Sequence, residues 1–92
     1  MIIKIKGETK EVKLTIAGAI KIEDEMGVNP LFIFATELPK IKDLKAIFTA
    51  SGGTEQEFYD YFEDHSLNDM TKLCLDIFKE SGLIKETDSK NV

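Results

Sequence analysis

The chain has 92 residues, of which 42% are hydrophobic and 32% are charged. This length and composition are typical of one small soluble globular domain and exclude a disordered or fibrous protein. The longest uninterrupted apolar run covers only residues 31–35, far below the roughly 20 residues that cross a bilayer. The N-terminus alternates isoleucine with lysine, unlike a signal peptide, so we expect neither membrane insertion nor secretion.

The charge of the chain argues against nucleic acid as a partner. Twelve Lys oppose seventeen acidic residues, the net charge is −5, and the chain contains no Arg. Because Arg supplies most of the forked contacts to phosphate and guanine, we do not expect a basic nucleic-acid-binding face. The second half, residues 46–92, carries four Lys and ten acidic residues. That surplus is either a solvated surface that keeps the protein soluble or a face for a basic partner protein.

No set of residues predicts catalysis. Cys74 is the only cysteine and His65 the only histidine, so the chain cannot assemble a disulfide or a Cys- or His-based metal site within itself. Cys74 lies on the apolar side of a predicted helix and is interpreted as a small buried hydrophobic residue. We therefore predict no catalytic residue, no metal and no cofactor. A reduced compartment, the cytoplasm, fits a chain with one cysteine.

The N-terminal residues have the period-two pattern of strands. Residues 2–6 and 11–15 alternate apolar with polar side chains, and residues 7–10 contain Gly7 and link the two runs. This pattern predicts a β-hairpin over residues 1–15. Because an isolated hairpin is marginally stable in water, its apolar face should pack on helices or on a second chain.

After Thr15 the spacing of apolar residues changes to three and four, which predicts helices. Gly18 falls inside the first of them and indicates a close helix crossing or a bend at the hairpin. The sequence thus predicts a mainly α protein, in which the N-terminal hairpin is followed by about five short helices packed as a small bundle. Caps and stops place these helices at residues 16–26, 31 to about 37, about 42 to 50, 54–65 and 67–81.

The same features predict one domain. Residues 1–84 form a single globular domain, with the hairpin over 1–15 and the helical part over 16–82. Residues 85–92 have no apolar periodicity and are predicted to be a mobile tail. The helices 42–50 and 54–65 have the size of a helix-turn-helix, but the second carries five acidic residues and no Lys, so we do not predict DNA binding.

Aromatic residues are the remaining functional signal. Phe58, Tyr59, Tyr61 and Phe62 crowd one short helix, and four such positions cannot all face one core. Phe58, Tyr61 and Phe62 are the expected inward set, which leaves Tyr59 on another side. Surplus aromatic side chains are either buried in a larger core or form a partner site. The hypothetical partner-binding residues are Phe32, Phe34, Tyr59 and Tyr61.

Taken in order, these features resemble the tail assembly chaperones of long-tailed phages that infect Gram-positive bacteria. The segment that carries the resemblance is LTIAGAIKIEDEMGVNPL, residues 14–31. It looks like that family's short strand, small-residue step, charged helix, Gly stop and following short helix. The stretch KDLKAIFTA (42–50) and the sequence TEQEF (54–58), which opens an aromatic and acidic helix, continue the match over roughly residues 11–82.

The resemblance implies a non-catalytic, mostly helical protein of the host cytoplasm that is absent from the mature virion. It would bind and solubilise the tape measure protein, help to recruit the tail tube protein, and self-associate. A second hypothesis from the residues is a small acidic inhibitor or nucleic-acid mimic that occupies a basic site on a host protein. The first predicts salt-tolerant binding to a long apolar helix, whereas the second predicts salt-sensitive capture of one folded basic protein.

Overall fold

A computed structural model of the chain describes residues 1–27 and 40–82. These residues form a two-stranded antiparallel hairpin followed by helices, which confirms the prediction of a mainly α protein with an N-terminal hairpin. The described ranges contain four helices rather than about five. The helix predicted over 31 to about 37 and the tail predicted over 85–92 lie outside the described residues. The elements are β1 (Ile2–Ile5), β2 (Glu8–Glu11), α1 (Ile16–Met26), α2 (Ile41–Ala50), α3 (Glu55–Tyr61) and α4 (Leu67–Ser81).

The hairpin is tighter than predicted. Lys6 and Gly7 form a two-residue turn in which both residues have positive φ, 53° and 84°, the type I′ combination whose twist matches that of the strands. β2 therefore begins at Glu8, and the predicted turn over 7–10 and strand over 11–15 are wrong. Because Gly7 accepts a left-handed backbone without cost, the chain reverses within two residues and needs no longer loop.

The core lies between the hairpin and helices α2, α3 and α4, while α1 packs on α2. Its members are apolar side chains that each element directs to one side, and Phe48 and Phe78 are the largest of those fully buried. The buried cluster comprises Ile5, Val12, Leu14, Ile22, Leu44, Ile47, Phe48, Phe58, Tyr61, Met70, Leu73, Cys74, Ile77 and Phe78.

Helix α1 approaches α2 through its smallest residue. Thr15 caps the helix by accepting the Gly18 N–H at 3.1 Å, and Gly27 ends it with a φ of 75°. Gly18 and Ile22, one turn apart, are its buried residues. Since α1 packs on α2, the close crossing is the one of the two alternatives for Gly18 that the structure shows. Ile16 and Ile20 share the helical spacing of the apolar residues but are 65% and 52% exposed. They lie two residues from the contact positions, a rotation of about 200° around the helix.

The last two helices begin as predicted. Thr54 and Ser66 each form a capping box, in which the hydroxyl accepts an N–H three residues on and the carboxylate there accepts the cap N–H. Helix α3 ends at Tyr61 rather than at residue 65, because the next N–H groups turn to carbonyls three residues back. α4 runs to Ser81 and ends at Gly82, whose φ is 78°.

Candidate functional site

An open groove of about 350 Å³ separates β1 from α4. Its floor is apolar and includes the partly buried side chains of Met1 and Ile3 together with Leu73. Charged side chains from both elements form its rim, so the groove has the chemistry of a protein-binding surface rather than of a dry small-molecule cavity. It is lined by Met1, Ile3, Lys4, Tyr61, His65, Asp69, Lys72, Leu73 and Asp76.

Tyr61 lines the groove and is only 6% exposed. Its ring stacks on the ring of His65, with centroids 3.9 Å apart and planes inclined by 6°. Burial raises the pKa of Tyr61, and the negative charge of Asp69 adds to this. The phenol therefore stays neutral at physiological pH, and Tyr61 belongs both to the core and to the groove.

His65 fixes the end of α3 against this floor. Its Nδ1 lies 3.0 Å from the carbonyl oxygen of Tyr61 and 2.9 Å from a carboxylate oxygen of Asp64. Both neighbours are acceptors, so the geometry requires a proton on Nδ1. The side chain of His65 thus caps the carbonyl end of α3.

Some charged side chains on the rim of the groove have a bonding partner within the described residues and others have none. Asp69 accepts the Ser66 N–H at 2.8 Å, and this backbone hydrogen bond lowers the pKa of Asp69. Lys4, Lys72 and Asp76 have no ion-pair partner in residues 1–27 and 40–82. The rim thus offers both signs of charge to a partner.

Tyr59 lies on another side of α3 and is 50% exposed. Its hydroxyl donates to Glu55 at 3.0 Å and accepts from the Lys45 ammonium at 3.2 Å. The Lys45 Nζ also stands 5.4 Å from the centre of the Tyr59 ring, within cation–π range, and bonds directly to the Glu55 carboxylate. An exposed ring is thereby held in one position. We call Lys45, Glu55 and Tyr59 the Tyr59 cluster.

The shifts in pKa within this cluster follow from its hydrogen bonds. The hydrogen bond to Glu55 is the main cause that raises the pKa of Lys45, followed by the hydrogen bond to Tyr59. The same bond to Lys45 is the main cause that lowers the pKa of Glu55. Both shifts favour the charged forms of Lys45 and Glu55, which are the forms that bond to each other.

The two predicted partner-binding residues that lie within the described ranges are not brought together. Tyr59 and Tyr61 lie on different sides of α3, since residues two apart on a helix point about 200° from each other. Phe32 and Phe34 lie outside the described residues. Sequence reasoning missed further exposed apolar side chains, whose periodic spacing resembles a buried stripe; besides Tyr59, the large ones are Ile2, Ile16, Ile20, Ile41 and Leu67.

The thiol of Cys74 is buried and its surroundings are apolar. Desolvation raises its pKa to about 12, which makes it a poor nucleophile. Within the described ranges, no group of three or more His, Cys, Asp or Glu side chains is placed to hold a metal ion. Over the same ranges, no helix is both long enough and apolar enough to cross a membrane.

No family model matches the chain, and neither the curated proteins nor the solved structures include a significant match.

Proposed function

We propose that the protein is a non-catalytic assembly chaperone of a long-tailed phage, which binds and solubilises the tape measure protein and helps to recruit tail tube subunits. It would act in the host cytoplasm, self-associate, and be absent from the finished virion. The observation that carries the proposal is the Tyr59 cluster, an aromatic ring half-exposed to solvent and held in place by two charged neighbours.

An ordered, exposed Tyr suits binding to a helical client. Tyr side chains contribute large contact areas at low entropic cost, and they are enriched among the residues that dominate binding energies. Here the hydrogen bonds to Lys45 and Glu55 have already fixed the ring, so a client loses less free energy in ordering it. Phe32 and Phe34 remain predicted members of the same client surface.

The alternative of an acidic inhibitor or nucleic-acid mimic receives less support from the charges on α3. A mimic needs acidic groups that are free to meet a basic partner. The acidic side chains of α3, and Glu63 just beyond its end, already lie near lysines of the hairpin or of α2. The pairs are Lys10–Glu57 at 3.2 Å, Lys6–Glu63 at 3.7 Å, Lys6–Asp60 at 3.9 Å, and Lys45–Glu55.

Co-expression with the tape measure protein tests the proposal. We expect the full chain to raise the soluble fraction of this client, and Tyr59→Ala and Phe34→Ala each to lower it several-fold. Tyr59→Phe keeps the ring and removes the hydroxyl with its hydrogen bonds to Lys45 and Glu55, so its effect should fall between those of the parent chain and of Tyr59→Ala. If the two alanine variants solubilise the client as well as the parent chain does, these positions do not form the client surface.

Salt separates the two hypotheses. Apolar contacts resist screening, whereas attraction between exposed charges weakens above about 0.1 M salt. We therefore expect the complex with the tape measure protein to survive 0.5 M NaCl in a pull-down. Failure to bind the client, together with salt-sensitive capture of a folded basic protein, would support the inhibitor instead.

A further inference from the structure

The outer edge of β1 presents unpaired backbone groups. In a hairpin with a two-residue turn, the residues that flank the turn form a hydrogen-bonded pair, and bonded and non-bonded pairs then alternate. The flanking pair is Ile5 and Glu8. Counting back from this pair, Met1 and Val12 should again form a bonded pair, and the Val12 N–H indeed donates to the Met1 carbonyl at 2.9 Å. It follows that Ile2 and Lys4 direct their N–H and C=O groups away from β2.

No other described strand satisfies these groups. The sheet consists of β1 and β2 alone within residues 1–27 and 40–82, and none of the backbone hydrogen bonds found there outside the hairpin involves Ile2 or Lys4. The groove between β1 and α4 borders this edge. A strand edge beside an open groove with an apolar floor is the geometry that accepts an added strand.

We infer that this edge pairs with β1 of a second copy of the chain, antiparallel about a two-fold axis, so that two hairpins form one four-stranded sheet. Three registers bring outward-facing residues opposite each other. Lys4 opposite Lys4 places like charges face to face, which is destabilising. Ile2 opposite Ile2 leaves the groups of Lys4 unpaired. Only Ile2 opposite Lys4 of the other copy pairs all the outward-facing groups without opposing charges.

The side chains agree with this register. Ile2, which is 62% exposed, would lie against the aliphatic stem of the other Lys4. On the opposite face, Ile3 would meet the other Ile3 across the two-fold axis, and Met1 would meet the other Ile5. These contacts extend the apolar floor of the groove from one copy into the next, so a second copy covers what a single chain leaves open.

The rim of the groove is also compatible with a copy of itself. Lys4 and Lys72 balance Asp69 and Asp76, so two copies bring neutral rims together although each chain carries a charge of −5. The edge is only as long as β1, so the interface is smaller than the roughly 1,200–2,000 Å² of a stable complex. The pairing should therefore be weak and concentration-dependent.

The inference rests on the self-association included in the proposed function and names its surface. The Tyr59 cluster lies on another side of α3 and faces α2, away from the β1 edge. A β1-edge variant that stays monomeric and still solubilises the tape measure protein would show that pairing at the β1 edge and client binding at the Tyr59 cluster are independent. A parent chain that dimerises through this edge but does not solubilise the client would contradict the proposed function and leave the pairing intact.

Disulfide trapping tests the register directly. Bonded pairs in an antiparallel sheet have Cα atoms about 5.5 Å apart, within the span of a disulfide. Under mild oxidation, a mixture of Ile2→Cys and Lys4→Cys chains should therefore form the mixed 2–4 disulfide several-fold faster than either variant alone links to itself. Both positions are exposed, so the substitutions spare the core, and the buried Cys74 is common to every sample. A preference for 2–2 or 4–4 links, or no more linkage than an exposed Ala17→Cys control gives, would overturn the inference.

Sedimentation of the full chain over a range of concentrations tests the edge itself. Lys4→Pro removes one outward-facing N–H and leaves the bonds between β1 and β2 intact, since proline is tolerated at a strand edge. We expect it to weaken dimerisation about tenfold or more. Thr9→Pro, at the position opposite Lys4 on β2, is the matched control and should dimerise like the parent. A parent that stays monomeric at millimolar concentration, or equal effects of the two prolines, would refute the pairing.

Discussion

Gly18 of α1 and the backbone carbonyl of Ala50 at the end of α2 are in direct contact. A Cβ atom on residue 18 would stand 2.7 Å from the Ala50 oxygen and 3.1 Å from a methyl carbon of Leu14. The first of these neighbours is backbone and cannot rotate away. The absence of a side chain at residue 18 therefore sets how closely α1 packs on α2.

Gly18→Ala should destabilise the protein although it improves helix propensity. The propensity gain is about 1 kcal/mol, whereas forcing a methyl group into a closed contact costs about 1–3 kcal/mol. We expect a net loss of roughly 1 kcal/mol in the free energy of unfolding, measured by urea denaturation. Ile20→Ala, on the exposed side of the same helix, is the control and should change stability by about 0.5 kcal/mol or less. If Gly18→Ala stabilises the chain, α1 is not held this close to α2.

Gly53→Ala should be more damaging, because it drives a methyl group into an aromatic ring. The added Cβ would lie 2.2 Å from a ring carbon of Phe48, and Phe48 is fully buried. We expect a loss of about 2–3 kcal/mol in the free energy of unfolding.

A double-mutant cycle with Phe48→Leu shows whether this clash is the cause. The smaller side chain makes room for the methyl group, so the two losses should fall short of additivity by about 1 kcal/mol. Strict additivity would mean that Gly53 is required for some reason other than its contact with Phe48.

The contacts of Gly18 and Gly53 show what the sequence alone can predict. A glycine inside a helical pattern indicates a close approach, and α1 indeed meets α2 at Gly18. Local patterns also predicted where α3 and α4 begin and where α4 ends, because each capping interaction spans only a few residues. None of these patterns identifies the neighbour, and the clash between Gly53 and Phe48 depends on where the chain folds back.

The interaction surfaces were harder to predict for the same reason. Apolar residues at helical spacing mark one face of a helix, but whether another element covers that face depends on tertiary packing. Ile16 and Ile20 fit a buried stripe by spacing and are exposed because α1 turns Gly18 and Ile22 toward α2. Tyr61 lines the groove only because β1 lies across from α4, a relationship between residues far apart in sequence.

The capping box of α4 should make stability depend on acid pH. The backbone hydrogen bond from Ser66 lowers the pKa of Asp69 below its ordinary value of 3.8. A carboxyl whose folded pKa is lowered contributes stability above its unfolded pKa and loses it as the pH falls through the folded value. The contribution of Asp69 should therefore be complete above about pH 5, decline below the ordinary Asp pKa, and be gone once the pH is below the lowered pKa of the folded state.

Thermal unfolding between pH 2 and pH 7 checks this expectation. Asp69→Asn should lower the melting temperature at pH 7 and have little effect at pH 2. The melting temperature of this variant should therefore change less with pH on the acid side than that of the parent chain. Asp76→Asn is the matched control on the same helix, since the Asp76 carboxylate has no ion-pair partner among the described residues. An equal change at both ends of the pH range would exclude Asp69 as an acid-sensitive cap.

The rate at which the Cys74 thiol is labelled should measure unfolding of the protein, because the buried thiol is a poor nucleophile in the native state. Burial raises its pKa from 9.0 to about 12, which lowers the thiolate population near neutral pH by about a thousandfold. The native protein should therefore react with a thiol reagent much more slowly than the unfolded chain. In urea, the labelling rate should rise in proportion to the unfolded fraction, because only the unfolded chain exposes the sulfur. An added cysteine at the exposed Ala17 should react quickly in the native state. Native Cys74 reacting as fast as that reference would show that the contact of α4 with the core opens without global unfolding.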